Sequence, residues 1–214
     1  MKYNSFAEFW RQLPPGDKTH PADKPFLDEV IHSLMFENLP AFGAGPLATA
    51  DVVLCYLNNR PLSKLGAFDR RLIIKQEKEL KETWGEYLAG VIEGNRKIKP
   101  RPLTEWAKIR TRDFSPKLKA ATFNIVPYRS PRFTNDDKRL TRVLPSAQMA
   151  RNYLHDVLLP AAARGERFIV IGWGVKLWGV PKTQAHKTLH VQLPIGGYPG
   201  KDLSDRINVW WDNR

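Results

Sequence analysis

Two amides and an arginine, Asn58-Asn59-Arg60, follow directly on the apolar, β-branched run Ala50-Asp-Val-Val-Leu-Cys-Tyr-Leu57 and are closed by Pro61. A side-chain amide offers a donor pair and an acceptor, enough to orient a water molecule or to read the edge of a planar ligand. A polar group at the C-terminal end of a buried parallel strand is also where open α/β folds place their chemistry. The same pattern recurs along the chain. Ala121-Thr-Phe-Asn124 runs into Ile-Val-Pro-Tyr128-Arg129-Ser130-Pro-Arg132, and Arg167-Phe-Ile-Val-Ile-Gly-Trp173 is followed by Lys176. A fourth run, over residues 188–193, carries His190 and Gln192. Asn58, Asn59, Arg60, Asn124, Tyr128, Arg129, Ser130, Trp173, Lys176 and His190 or Gln192 are therefore expected along one sheet edge.

Other chemistries lack their residues. The five histidines, at 20, 32, 155, 186 and 190, do not have the spacing of a zinc site, and neither His-Glu-x-x-His nor a Walker sequence occurs. No Gly-x-Ser-x-Gly elbow supports a nucleophilic serine, and Gly172-Trp-Gly174 lacks the spacing of a dinucleotide fingerprint. Cys55 is the single cysteine, which rules out an internal disulfide or a cysteine cluster and reads as a small buried hydrophobe. No metal and no cofactor is expected.

The elements needed to position the edge can be read from periodicity. Asn4 or Ser5 caps a first helix ending at Leu13, and residues 25–39 read as a second amphipathic helix with Phe26, Val30, Ile31, Leu34 and Met35 inward. Residues 1–45 thus form an N-terminal helical cover, with Phe42-Gly-Ala-Gly-Pro46 as a loop that either admits a substrate close to the backbone or is a plain connector. Residues 62–93 are mostly helical with a break near Gly66, and Trp84, Tyr87, Leu88 and Val91 form a core stripe. A further helix over residues 146–159 is predicted to be capped by Ser146, and residues 203–211 close the chain as a helix. Four strands separated by helices predict one three-layer α/β/α domain over residues 1–214, with a mainly parallel four-stranded central sheet.

The formal charge is +12, from 34 basic against 22 acidic residues, and it is concentrated. The connection over residues 94–119 holds nine basic residues against Glu105 and Asp113, interleaved with Trp106 and Phe114. This favours a polyanionic partner, nucleic acid before a membrane surface. Arg60, Lys97, Lys99, Arg101, Arg129, Arg132, Lys176 and His190 are the expected DNA contacts. The N-terminus carries no apolar leader and no segment is long enough to span a bilayer, so a cytoplasmic address, in a bacterial or phage-related setting, and a monomer are expected.

Over residues 48–193 the order and spacing of these motifs resemble the uracil-DNA glycosylase superfamily. Tyr56-Leu-Asn58-Asn-Arg60 is similar to the family's first motif, Ala121-Thr-Phe-Asn-Ile-Val-Pro127 to the second strand, and Phe168-Ile-Val-Ile-Gly-Trp-Gly-Val-Lys-Leu-Trp178 to the third strand and its helix. The resemblance implies that Asn58 orients the catalytic water and that Asn124 reads the flipped base, with Tyr128 or Trp173 as the stacking surface. Asn59-Arg60 replaces the family's Pro-Gly, and its His-Pro-Ser loop is not readable after the fourth strand, where His190-Val-Gln-Leu-Pro194 and Gly196-Gly-Tyr-Pro-Gly200 stand by order only. The expected activity is hydrolysis of the N-glycosidic bond of a modified or damaged base flipped from DNA, in DNA repair or antiviral defence. The alternatives are a non-enzymatic nucleic-acid-binding module with the same basic edge and an enzyme acting on free nucleotides.

Overall fold

Val52–Tyr56 has no polar side chain to offer solvent except a phenol, and its β-branched start favours extended backbone. It becomes the central strand of the sheet. The structure, a computed structural model, describes residues 3–29, 31–59, 61–191 and 199–214. In chain order its elements are α1 (Phe6–Arg11), α2 (Lys24–Asp28), β1 (Gly43–Ala44), β2 (Val52–Tyr56), α3 (Ala67–Glu79), α4 (Trp84–Glu93), α5 (Glu105–Thr111), β3 (Ala120–Asn124), α6 (Asn135–Val143), α7 (Pro145–Tyr153), α8 (Leu159–Ala163), β4 (Phe168–Ile171), α9 (Val175–Trp178), β5 (Leu189–Val191) and α10 (Lys201–Asp212).

The sheet runs β1-β3-β2-β4-β5. β2 pairs in parallel with β3 and with β4, so that Val52 stands opposite both Ala120 and Phe168, and β4 pairs in parallel with β5. Alternation along β2 divides the core. Val53 and Cys55 pack into the larger cluster with Trp10, Phe123 and Trp178, while Val52, Leu54 and Tyr56 pack with Phe168, Ile207 and Trp210. The first cluster takes α1, α4 and α7 as its cover, and the second takes α10. Burial raises the Cys55 thiol well above its ordinary range, as its reading as an inert core residue requires.

Five strands, not four, form the sheet, because Gly43-Ala44 pairs antiparallel with β3. A side chain on Gly43 would overlap the Thr122 carbonyl, so this glycine serves strand packing. The predicted helix over residues 25–39 stops at Asp28. Beyond it, Met35 pairs with Arg129 in an antiparallel bridge, Ser33 binds Asp137 through its N–H at 2.9 Å, and Ile31 is 89% exposed rather than inward. Long-range pairing has overridden the local period here. Val30 lies outside the described residues.

Ser146 is not a cap. The helix begins at Pro145, and the Ser146 N–H donates to the buried Asp23 carboxylate at 2.9 Å. This helix passes through a π-turn at Leu154–Leu158 before α8. Pro160 lacks an N–H and would collide with the carbonyl four residues back, and the widened turn just ahead of it absorbs that misfit. α6 was not anticipated, although Thr134 and Asp137 write its capping box.

The N-terminal segment is fastened by a buried polar chain. The Tyr128 hydroxyl donates to Asp23 Oδ2 at 2.6 Å and accepts the His20 N–H at 3.2 Å. His20 stacks on Phe9 with ring centroids 3.7 Å apart. The Ala22 N–H donates to His20 Nδ1, so Nε2 carries the proton and donates to the Phe9 carbonyl at 2.7 Å. Burial pulls this imidazole down to about 4 from 6.5. Between those values the unfolded chain binds the proton and the folded chain does not, so stability falls as pH drops from about 6.5 toward 4, by up to about 3 kcal/mol. Urea unfolding across that range should show this loss in the native chain and a flatter profile in a folded His20→Leu variant.

Candidate active site at the carboxyl edge of the sheet

Parallel pairing places Tyr56 opposite Asn124, so the chain leaves β2 and β3 side by side. The ladder continues briefly beyond the strands, with the Val126 N–H donating to the Leu57 carbonyl at 2.8 Å and the Ser130 N–H to the Asn59 carbonyl at 3.1 Å. Around these two ends lies a cavity of about 250 Å³. Asn58, Asn59 and Asn124 form its floor, α3 supplies Asp69, Ile73 and Gln76, and Arg101, Arg129 and Arg132 enter from the segments before α5 and after β3. Trp173, 38% exposed, stands in the wall after β4.

The amides have fixed directions. Asn59 Nδ2 donates to the Ala41 carbonyl at 2.8 Å, which leaves Asn59 Oδ1 to accept from Asn124 Nδ2 at 3.1 Å. Asn124 Oδ1 then meets no donor among the described residues. Asn58 Nδ2 donates to the Asn59 carbonyl at 3.2 Å, so Asn58 Oδ1 is likewise an acceptor without a described donor. Asn124 is buried and its backbone N–H is held by the Phe42 carbonyl, whereas Asn58 is half-buried. The floor thus offers two carbonyl acceptors to a ligand edge or a water.

The charged groups are less expected. Arg101 and Arg129 are 7% and 6% exposed, buried in the cavity wall rather than spread on a solvated edge. Arg101 lies 5.7 Å from the Trp84 ring centroid, a cation–π contact, and desolvation pulls its guanidinium below the ordinary range. Desolvation, reinforced by the like charge of Arg101 and partly offset by Glu77, brings Arg129 down to about 10. Asp69 is buried, with Oδ2 accepting the Glu105 N–H at 2.9 Å at the start of α5. Asp69 and Arg101, Arg129 and Arg132 are the charged residues of the wall among those described, a net positive lining.

Of the residues expected on the edge, Asn58, Asn124, Arg101, Arg129, Arg132 and Trp173 meet in this cavity. Tyr128 does not: it is 1% exposed, its hydroxyl is bound to Asp23 and its ring packs on Phe36, so it cannot stack on a ligand. Lys97, Lys99 and Lys176 are exposed and His190 is half-buried on β5, none of them in the cavity wall. Arg60 and Gln192 lie outside the described residues, as do the Trp106 side chain and most of the 196–200 loop. Asp69 was legible in principle, since the first turn of a helix that follows a parallel strand returns to that strand's C-terminal end. Asp51 sits at the other end of β2, bound to Arg214 at 2.9 Å and to the Lys119 N–H at 2.9 Å. Among the described residues no three His, Cys, Asp or Glu side chains gather to hold a metal.

Asn59 is the link on which the floor depends. Asn59→Ala strips the Ala41 carbonyl and Asn124 Nδ2 of their partners and should cost about 1–3 kcal/mol in denaturant unfolding. Comparison with protein-family models, with curated proteins and with solved structures finds no match for this chain.

Proposed function

We propose that the cavity takes a modified or damaged base flipped out of DNA, and that the protein hydrolyses its N-glycosidic bond. One observation carries this reading: the two short motifs that resemble the glycosylase superfamily, ending at Asn58 and Asn124, open from adjacent parallel strands onto one base-sized cavity. An α/β/α layering with helices on both sheet faces agrees with it.

Each residue has a defined part. Asn124 turns its Oδ1 toward an N–H of the base, and Trp173 supplies a stacking face beside it. Asn58 Oδ1 accepts a hydrogen bond from the attacking water and holds it against the sugar. The electron pair of the breaking C1′–N bond leaves with the base, the water oxygen bonds to C1′, and the water's proton ends on the base. An abasic site and a neutral base remain. Asn58 cannot take the proton itself, so its contribution is position rather than basicity. Exposed Arg132, beside the cavity, and Lys97 and Lys99 on the basic connection hold backbone phosphates. A monomer acting on DNA in repair or antiviral defence fits this arrangement.

Alkali cleavage of oligonucleotides bearing different modified bases tests the chemistry. Asn58→Ala should lower the single-turnover rate of abasic-site formation by about 100-fold, and Asn58→Asp, which can accept the water's proton, should equal or exceed the native rate. An unchanged rate in Asn58→Ala removes that residue from the reaction. DNA binding without abasic sites on any substrate would favour the non-enzymatic module.

The surface charge gives a separate expectation. Lys97→Ala with Lys99→Ala should weaken DNA binding across sequences and lower the slope of log K against log salt by about 2, since each neutralised phosphate releases counterions. An unchanged slope in the folded double variant would leave this connection as a solvated basic loop.

A further inference from the structure

A guanidinium has five N–H donors and a charge it does not shed, so a buried one needs acceptors. Arg101 is buried, yet it forms no hydrogen bond and no ion pair with any described residue. Its environment is the Trp84 ring and the open volume of the cavity. It is not there by looseness of the chain, because its backbone carbonyl accepts the Gly45 N–H at 2.7 Å, next to β1. A second buried guanidinium, Arg129, stands in the same wall near enough for the two charges to disfavour one another, and its carbonyl accepts the Met35 N–H at 2.8 Å. Two pinned backbones thus hold two like charges at one cavity.

Contact with the DNA backbone does not account for them. Phosphates flanking a flipped nucleotide stay outside the base pocket, where exposed Arg132 already stands, while Arg101 is reached only through the cavity. Structural ion pairing does not account for them either. Asp69, the wall's carboxylate, accepts the Glu105 N–H, and Glu77 accepts from Asn38 Nδ2 at 3.1 Å. The compensating anion has to come from the ligand.

We propose that Arg101 and Arg129 form an oxyanion site inside the cavity, and that the ligand is a base-sized planar group bearing an anionic oxygen substituent. This rests on the reading of the cavity as a base pocket and narrows its substrate class. Asn58 and Asn124 supply carbonyl acceptors for ring N–H groups, and the guanidiniums supply a donor fork for a carboxylate or a phosphate. A neutral base leaves that fork unmatched.

Titration calorimetry of the intact chain with uracil, uracil-5-carboxylate, uracil-6-carboxylate and inorganic phosphate tests the site without requiring turnover. The native protein should bind a carboxylate about tenfold or more tightly than uracil, and Arg101→Met should reduce that ratio to about one while leaving uracil binding intact. Phosphate that displaces the carboxylate only when Arg101 is present assigns the site to oxyanions in general; a carboxylate that phosphate does not displace assigns it to that substituent on the base. Because Met replaces an uncompensated buried charge, the ligand-free Arg101→Met protein should melt at the native temperature or above. Equal affinity for uracil and its carboxylates, or a preference that survives Arg101→Met, overturns the proposal. Should Arg101→Met unfold, Arg101→Lys, which keeps the charge but loses the planar fork, should retain only part of the preference, and full retention also overturns it. Absence of abasic-site formation would overturn the glycosylase reading and leave these binding outcomes untouched.

Discussion

The complete burial of β2 is the constraint on which the rest of the structure depends. Val52–Tyr56 are between 0% and 2% exposed, with a parallel partner on each side and a packed cluster on each face. A strand in that position satisfies its backbone only through its neighbours, so both must run alongside it for its whole length. Polar residues can then appear only past its ends. Asp51 precedes it and pairs with Arg214, and Asn58-Asn59 follow it and open the cavity. α3 returns past the same end and brings Asp69 to the wall, so the site is a consequence of where the strand stops.

A second constraint comes from Asp23. Its carboxylate is buried and receives the Tyr128 hydroxyl and the Ser146 N–H, joining a segment near the N-terminus to the loop after β3 and to the start of α7. Burial raises this carboxyl above its ordinary range, with the two hydrogen bonds opposing the rise. The network turns Tyr128 away from the cavity, and the neighbouring bridge from Met35 fixes the backbone of Arg129 at the cavity wall. The N-terminal cover therefore helps to shape the site without lining its floor.

Net charge says little about where charge resides. The basic connection divides into lysines that face solvent, Lys97 and Lys99, and arginines that do not, Arg101 and Arg110. Guanidinium is planar and weakly hydrated and can lie over an aromatic face, as Arg101 lies over Trp84, whereas an ammonium is costlier to dehydrate. A surplus of positive charge in sequence thus becomes both a solvated surface and an interior recognition feature.

The sequence by itself determined the parallel strands, the helical stripe of Trp84, Tyr87 and Leu88, and the placing of Asn58 and Asn124 at strand ends, because each follows from local alternation and from the abrupt change from apolar to polar residues. Only the tertiary structure decided the fifth strand, the arrest of the second helix at Asp28, the burial of Tyr128 and the inward turn of Arg101 and Arg129. Gly43 pairs with Phe123, Asp23 binds Tyr128 and Ser146, and Met35 bridges to Arg129. These contacts join residues some 80 to 123 positions apart, and they leave no periodic trace in either partner's neighbourhood. Arg101 shows the limit most plainly: in sequence it is one of nine basic residues in a loop, and only the packing of β1 and Trp84 around it makes it a buried charge facing a cavity.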